Sequence, residues 1–187
     1  MKLLIASDIH GSAHYCGMLL EKFKAEKADK LLLLGDILYH GLRNETPEGY
    51  DPREIIKMLN QMKDKIICVR GNCDAEIYEM VLDFPALADY AAVPVGNRIM
   101  YASHGHIYNE EHLPSLCDGD ILLNGHTHIP KVTVHEHYIY INSGSVSVPK
   151  DNTPHSYIVF ENDRFIWKNL KTDEAFMKFD LNLLQKS

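Results

Sequence analysis

The sequence predicts an α/β layered domain with mixed sheets. Three observations carry this. Short apolar runs alternate with amphipathic stretches up to about residue 123. From Lys131 onward the pattern changes to closely spaced β segments separated by turn residues. Five of the apolar runs end in the same manner, on glycine, carboxylate, amide or imidazole. The chain has 187 residues, 45% of them hydrophobic and 24% charged, which fits one globular domain over 1–187 with a sizeable core.

The elements follow in order. Residues 2–6 read as a buried strand, and 13–27 as an amphipathic helix with Leu19, Leu20 and Phe23 on its inner face. The four-leucine run Leu31–Leu34 is short enough for a core strand and is bounded by Gly35. Pro52 opens a helix through about Lys63, since the first helical turn does not need the missing amide. Strands are expected at 66–69, 98–102, 120–123, 132–135, 138–141, 156–160 and 164–170, with short helices at about 75–82 and 109–117. Residues 39–51 form the longest irregular stretch, and loops of that length are commonly functional.

Composition removes several function classes. The net charge of −7 argues against capture of a nucleic-acid polymer, which needs clustered Lys and Arg facing phosphates. No run is long and apolar enough for a membrane span. The opening Met1–Ala6 imitates a signal peptide only briefly before Ser7-Asp8-Ile9-His10 interrupts it. Cys16, Cys68, Cys73 and Cys117 show no CxxC pairing, so reduced thiols and a cytoplasmic location are expected.

The five run ends are Ser7-Asp8-Ile9-His10, Gly35-Asp36, Gly71-Asn72-Cys73-Asp74, Ser103-His104-Gly105-His106 and Asn124-Gly125-His126-Thr127-His128. In α/β sheets the carboxyl ends of strands line the ligand crevice, so these side chains are expected to converge. Singly, each has a plain structural explanation: Asp after Gly caps turns, and a lone histidine is often only hydrogen-bonded. As a set of five strand ends without a lysine, they point to a metal centre. Carboxylates with neutral imidazoles suit Mn, Fe, Zn or Ni. Six or seven ligands exceed one tetrahedral ion but suit two ions sharing a carboxylate, typically about 3.5–4 Å apart, which together promote phosphate ester hydrolysis.

The order DxH, GD, GNxD, HGH, GHTH resembles the calcineurin-like metallophosphoesterase superfamily, and within it the small bacterial phosphodiesterases of the YfcE type. The similarity runs from Met1 to about Lys150, including the loop Gly35–Asn44 and the segment Asn142-Ser143-Gly144-Ser145-Val146. It implies a four-layer sandwich of two mixed β-sheets flanked by helices. It also implies Asp8, His10, Asp36 and His128 on one divalent metal ion, and Asp36, Asn72, His104 and His126 on a second, with Asp36 as bridge. Mn is the metal commonest in the family, with Fe, Zn or Ni also used. The activity implied is attack of a metal-bridging hydroxide on a small phosphodiester, with Asn72, His104 and His106 nearest the chemistry.

One position departs from the wider superfamily: Cys73 stands where many members carry histidine. A thiol with an ordinary pKa near 8.5 is a poor proton donor, and a small buried filler is its plainest role. Lacking a strong acid, the site is expected to favour good leaving groups, and diesters over monoesters. His106 either touches substrate or orients a ligand. Arg43 and Asn44 are candidate substrate contacts, with Cys73, although a solvated loop arginine fits position 43 equally. Arg70 is open in the same way, and His14, His112, His135, His137 and His155 have no motif context. The partner expected is a small phosphodiester, with no nucleic acid and no membrane; a homo-oligomer is left open. Phosphomonoester hydrolysis on the same scaffold is the enzymatic rival. A non-catalytic interaction scaffold is the rival of another class, since one such superfamily member is a trafficking-complex subunit lacking the full ligand set.

Overall fold

A computed structural model describes residues 1–186. Six strands form the first sheet, in the order β11-β10-β9-β1-β2-β3, and five form the second, in the order β4-β5-β6-β8-β7. The first sheet contains β1 (Leu3–Ala6), β2 (Lys30–Leu33), β3 (Ile66–Cys68), β9 (Ser156–Glu161), β10 (Arg164–Asn169) and β11 (Ala175–Asp180). The second contains β4 (Tyr90–Val95), β5 (Arg98–Ser103), β6 (Asp120–Asn124), β7 (Pro130–Val134) and β8 (Tyr138–Ser143). Both are mixed: β1, β2 and β3 run parallel in one, and β5, β6 and β8 in the other, with antiparallel strands completing each. This is the pair of mixed sheets that the resemblance implies.

Alternation along the strands assigns the two faces. Leu3 and Ile5 of β1, with Leu32 and Leu34, pack against Met100, Ile121, Leu123, Ile139 and Ile141, filling the space between the sheets. Leu4, Ala6, Leu31 and Leu33 point the other way and are covered by Cys16, Leu19 and Phe23 of α1 (Ala13–Ala25) and by Ile55 and Leu59 of α2 (Pro52–Asn60). A strand apolar at every position is therefore one buried on both faces. Ser12 caps α1 by accepting from the Tyr15 amide, and Asp51 caps α2 by accepting from Glu54 ahead of Pro52. The helix expected over 75–82 is a 3₁₀ turn at Glu76–Met80.

Three further departures have physical causes. No helix forms over 109–117. There Asn109 Oδ1 accepts from the Glu111 and His112 amides, Asp120 from that of Cys117, and Pro114 interrupts the run. Such local side-chain bonds compete with a helix ladder. Strand β4 escapes the periodicity because its outward positions hold Ala92 and Pro94, and proline is tolerated because β4 is an edge strand. Strand β11 escapes it because, at the opposite edge of the first sheet, it has no fully buried position. Among the described residues, no helix is long and apolar enough to cross a membrane. All four cysteines are free thiols.

Candidate metal centre

The parallel strands deliver the candidate side chains to one place, and their backbone there is unusual. Asp8, His10, Asp36, His126 and His128 all have left-handed φ, between 49° and 65°. For non-glycine residues that conformation costs about 1–3 kcal/mol each and persists only where the surroundings over-determine it. They do so at Asp8. Its amide donates to Gly35 O, its carbonyl accepts from the Ser145 and Ser147 hydroxyls at 3.0 Å, and its Oδ2 accepts from the His126 amide at 3.0 Å. Asp74 does the same for Asp36, its carboxylate accepting from the amides of Asp36 (2.8 Å), Ile37 (2.9 Å) and Gly71 (2.7 Å). Glycine is required at 71 because a Cβ there would collide with the Asp36 backbone and carboxylate.

Backbone carbonyls orient three of the imidazoles. His10 Nδ1 donates to Tyr39 O at 2.9 Å, His104 Nδ1 to Leu34 O at 2.7 Å and His128 Nδ1 to Val148 O at 2.6 Å. A carbonyl only accepts, so each ring carries its proton on Nδ1 and turns Nε2 inward. His10 Nε2 and His128 Nε2 then face each other at 3.2 Å. His104 Nε2 lies 3.2 Å from His126 Nδ1 and 3.1 Å from Asn72 Oδ1. Asp8 Oδ1 approaches His128 Nε2 at 3.2 Å and His10 Nε2 at 3.5 Å, and Asp36 Oδ2 approaches His104 Nε2 at 3.4 Å. Two ring lone pairs and two carboxylates in a buried space repel unless cations sit among them. Asp8 Oδ1, fully buried, has no hydrogen-bond donor. Oxygen and imidazole donors in this setting fit a borderline divalent metal. Two of the triads whose ligand atoms lie within 4.8 Å of one another are Asp8–His10–His128 and Asp8–Asp36–His104.

The electrostatics agree. Burial opposes ionisation of Asp8, but its contacts with His10 and His128 hold the carboxyl well below its ordinary range. Burial likewise opposes protonation of His104, yet the neighbouring Asp36 and Asp8 outweigh it and raise its pKa to about 9. His126 is lowered to about 4 by burial and by the charge of His104.

Above the centre opens a cleft of about 870 Å³ lined by Tyr39, Gly41–Asn44, Asn72, Cys73, Thr127 and Lys150 together with Asp36, His126 and His128. Arg43, Asn44 and Cys73 thus all border it. Asn44 donates its amide to His40 O at 2.8 Å, closing its own loop. Cys73 is only half-buried, contrary to a filler's place, and a third triad, His10–Asp36–Cys73, includes it. Its thiol is pushed up to about 12 by burial and by the Asp36 charge. His106 lies beside His104, ring centroids 5.4 Å apart, and lines a neighbouring cleft of about 510 Å³. Its Nδ1 is buried without a partner, and it joins none of the three triads. Arg70 turns to Asp89, at 2.7 Å. Among the histidines without motif context, His135 bonds Glu110 and stacks on Tyr138, while His155 stacks on Tyr15.

Four contributors have no role assigned from the sequence alone. Asp74 stood in view within Gly71-Asn72-Cys73-Asp74, and its spacing to Gly71 is the signal that could have marked it. Ser145 and Ser147 hold Asp8 from 137 and 139 residues away. Lys150 has no motif at all.

Residues 1–164 match the calcineurin-like phosphoesterase superfamily domain. The chain is 44% identical to phosphodiesterase YfcE of Escherichia coli K12 over 163 residues, covering 87% of this chain and 89% of that protein. The solved structure of the E. coli phosphoesterase YfcE superposes with a TM-score of 0.94 at 40% identity, covering 97% of this chain and all of that one. Zinc-bound Vps29 of Entamoeba histolytica shares the fold alone, with 19% identity, a TM-score of 0.58 and coverage of 97% and 100% of the two chains.

Proposed function

The chain belongs to the calcineurin-like phosphoesterase superfamily and is a hydrolytic enzyme, and from that premise we propose that it is a metal-dependent phosphodiesterase acting on small substrates through two divalent ions. Asp8, His10, Asp36 and His128 would hold one ion. Asp36, Asn72, His104 and His126 would hold the other, with Asp36 shared and Mn as the metal. The observation that carries this reading is the set of inward-facing imidazole nitrogens around Asp36 and the unpartnered Asp8 Oδ1, at the floor of an open cleft. When bound, two such ions supply a hydroxide nucleophile at neutral pH and neutralise charge on the phosphoryl oxygens.

The chain's own groups do the rest. The carbonyls of Leu34, Tyr39 and Val148 aim the imidazoles, and Asp74 keeps Asp36 in its left-handed conformation. Asn72, with its oxygen turned to the centre, has an amide group free to leave Cys73 and donate to a phosphoryl oxygen. His106 stands beside the centre to contact substrate. Cys73 stays a neutral thiol at working pH and offers no strong acid to the departing alcohol. Good leaving groups and diesters, which bring one negative charge fewer than ionised monoesters, are favoured accordingly. The identity to a named phosphodiesterase supports the same choice.

The test is elemental analysis combined with turnover of bis(p-nitrophenyl) phosphate and p-nitrophenyl phosphate in Mn, Fe, Zn and Ni. Two metal equivalents per chain, with the diester cleaved faster, are expected. Asp36→Asn should lower occupancy of both sites and abolish turnover while the circular dichroism spectrum persists. Two ions retained with normal activity in that variant would refute the shared-carboxylate assignment.

A further inference from the structure

We propose that the substrate carries a second anionic group, a carboxylate or a phosphate on one arm of the diester, and that Arg43 and Lys150 recognise it. The inference rests on the phosphodiesterase reading of the same site and specifies its substrate class.

Size comes first. A cleft of about 870 Å³ is on the scale of sites for drug-sized ligands, and far exceeds what the phosphoryl group alone occupies. Charge comes second. Apart from Asp36 at the floor, the lining residues with full charge are Arg43 and Lys150, both cations. They arrive on separate connections, Arg43 between β2 and α2 and Lys150 between β8 and β9. Neither has an ion-pair or side-chain hydrogen-bond partner among the described residues; Lys24, Lys27, Arg53, Lys65 and Lys178 share that property on the surface, but of the unpaired cations only Arg43 and Lys150 border this cleft. In a chain of 26 acidic and 19 basic residues, two unpaired cations bordering one cleft mark a place for an anion.

The scissile diester does not need them. It brings one negative charge, and two divalent ions held by Asp8 and Asp36 with a hydroxide would carry a net charge of about +1 that already balances it, so a substrate with neutral arms leaves both cations facing water. A second anion on one arm meets them. Arg43 offers a planar fork that matches carboxylate or phosphate oxygens, and Lys150 a point charge. The root of Lys150 is held near the centre. Its amide donates to His128 O at 3.4 Å, and its carbonyl accepts from the Thr153 amide at 3.0 Å and hydroxyl at 2.7 Å.

The experiment uses the metal-loaded enzyme and p-nitrophenyl diesters that share one leaving group and differ in the other arm: ethyl, carboxyethyl, phosphonoethyl or choline. The two anionic arms are expected to show KM about tenfold below the ethyl arm, equivalent to about 1.4 kcal/mol, and the choline arm to show a higher KM. The better of the two anionic arms identifies carboxylate or phosphate as the group. Raising ionic strength should shrink the preference. In Arg43→Ala and Lys150→Ala the anionic-to-ethyl ratio of kcat/KM should fall, and in the double variant it should approach one. Equal KM for anionic and neutral arms, or a preference that survives in the double variant, would overturn the proposal. Calorimetric titration with ethyl methyl phosphate and carboxyethyl methyl phosphate reads the same preference without turnover. Absence of hydrolysis with tighter binding of the carboxylate diester would count against the phosphodiesterase reading and support this one; equal binding would count against the anion site.

Discussion

At the scale of the residue, the decisive fact is which nitrogen of each imidazole faces inward. His10, His104 and His128 each give Nδ1–H to a backbone carbonyl, leaving Nε2 for a cation. A pH dependence follows. In the metal-free protein His104 carries a second proton, on Nε2, up to about pH 9, because Asp36 and Asp8 outweigh the effect of burial. Ligation by His104, as proposed, needs the neutral ring and would displace that proton, so metal affinity should rise with pH by about tenfold per unit below pH 9. His10, raised by Asp8 despite its burial, adds to the trend. Calorimetry of Mn binding in buffers of different ionisation enthalpy measures the released proton. Affinity independent of pH between 6.5 and 8.5 would show that His104 is not displaced by metal. His104 as a candidate ligand was legible in His104-Gly105-His106; the tautomer was not, because Leu34 O comes from another segment, 70 residues away.

At the scale of the element, the helix α1 shows how the scaffold is tied together. Its C-terminal end carries Glu26, which accepts from Lys2 at 2.6 Å and from Lys168 at 2.6 Å, joining the helix to the start of β1 and to β10. Burial disfavours the Glu26 charge, but the bonds from Lys168 and Lys2 prevail and lower its pKa. With a lowered folded-state pKa, its contribution is whole above the unfolded value of about 4.3 and is lost as pH falls through the folded value. Glu26→Gln should therefore cost about 1 kcal/mol at pH 7, modest because the pair is partly solvated, and progressively less below pH 4.3. Urea unfolding of both proteins across that range checks it; a constant difference would mean the charge is not what matters. Elements buried on both faces, such as β1 and β2, were plain from apolar runs alone. The edge strand β4 was hidden because Ala and Pro at its outward positions carry little periodic signal, and β11 because none of its positions is fully buried.

At the scale of the whole molecule, charge sets the range of partners. A net charge of −7 disfavours binding of polyanions, while the proposed anion site in the cleft would attract a small one. Long single-stranded RNA or duplex DNA should compete weakly with a small diester at about 0.15 M salt, the regime in which exposed charges more than about 8 Å apart are screened. Inhibition constants for both polymers against bis(p-nitrophenyl) phosphate measure this. Tight competition with a steep salt dependence would place a nucleic-acid surface on the molecule.

The sequence by itself determined the mixed α/β order, the family, and which strand ends carry oxygen and nitrogen donors. Those properties reside in periodicity and short motifs, as Gly35-Asp36 and Gly125-His126-Thr127-His128 show. Only the tertiary structure decided how the donors are held and what surrounds them. The left-handed backbone of Asp8 depends on Ser145 and Ser147, the aim of His128 on Val148, and the charge of the cleft on Arg43 and Lys150, which border it from two separate loops. Each of these is a pairing between segments far apart in the chain. A local pattern reports a residue's own conformation and face, but not which distant carbonyl, hydroxyl or cation the fold brings beside it.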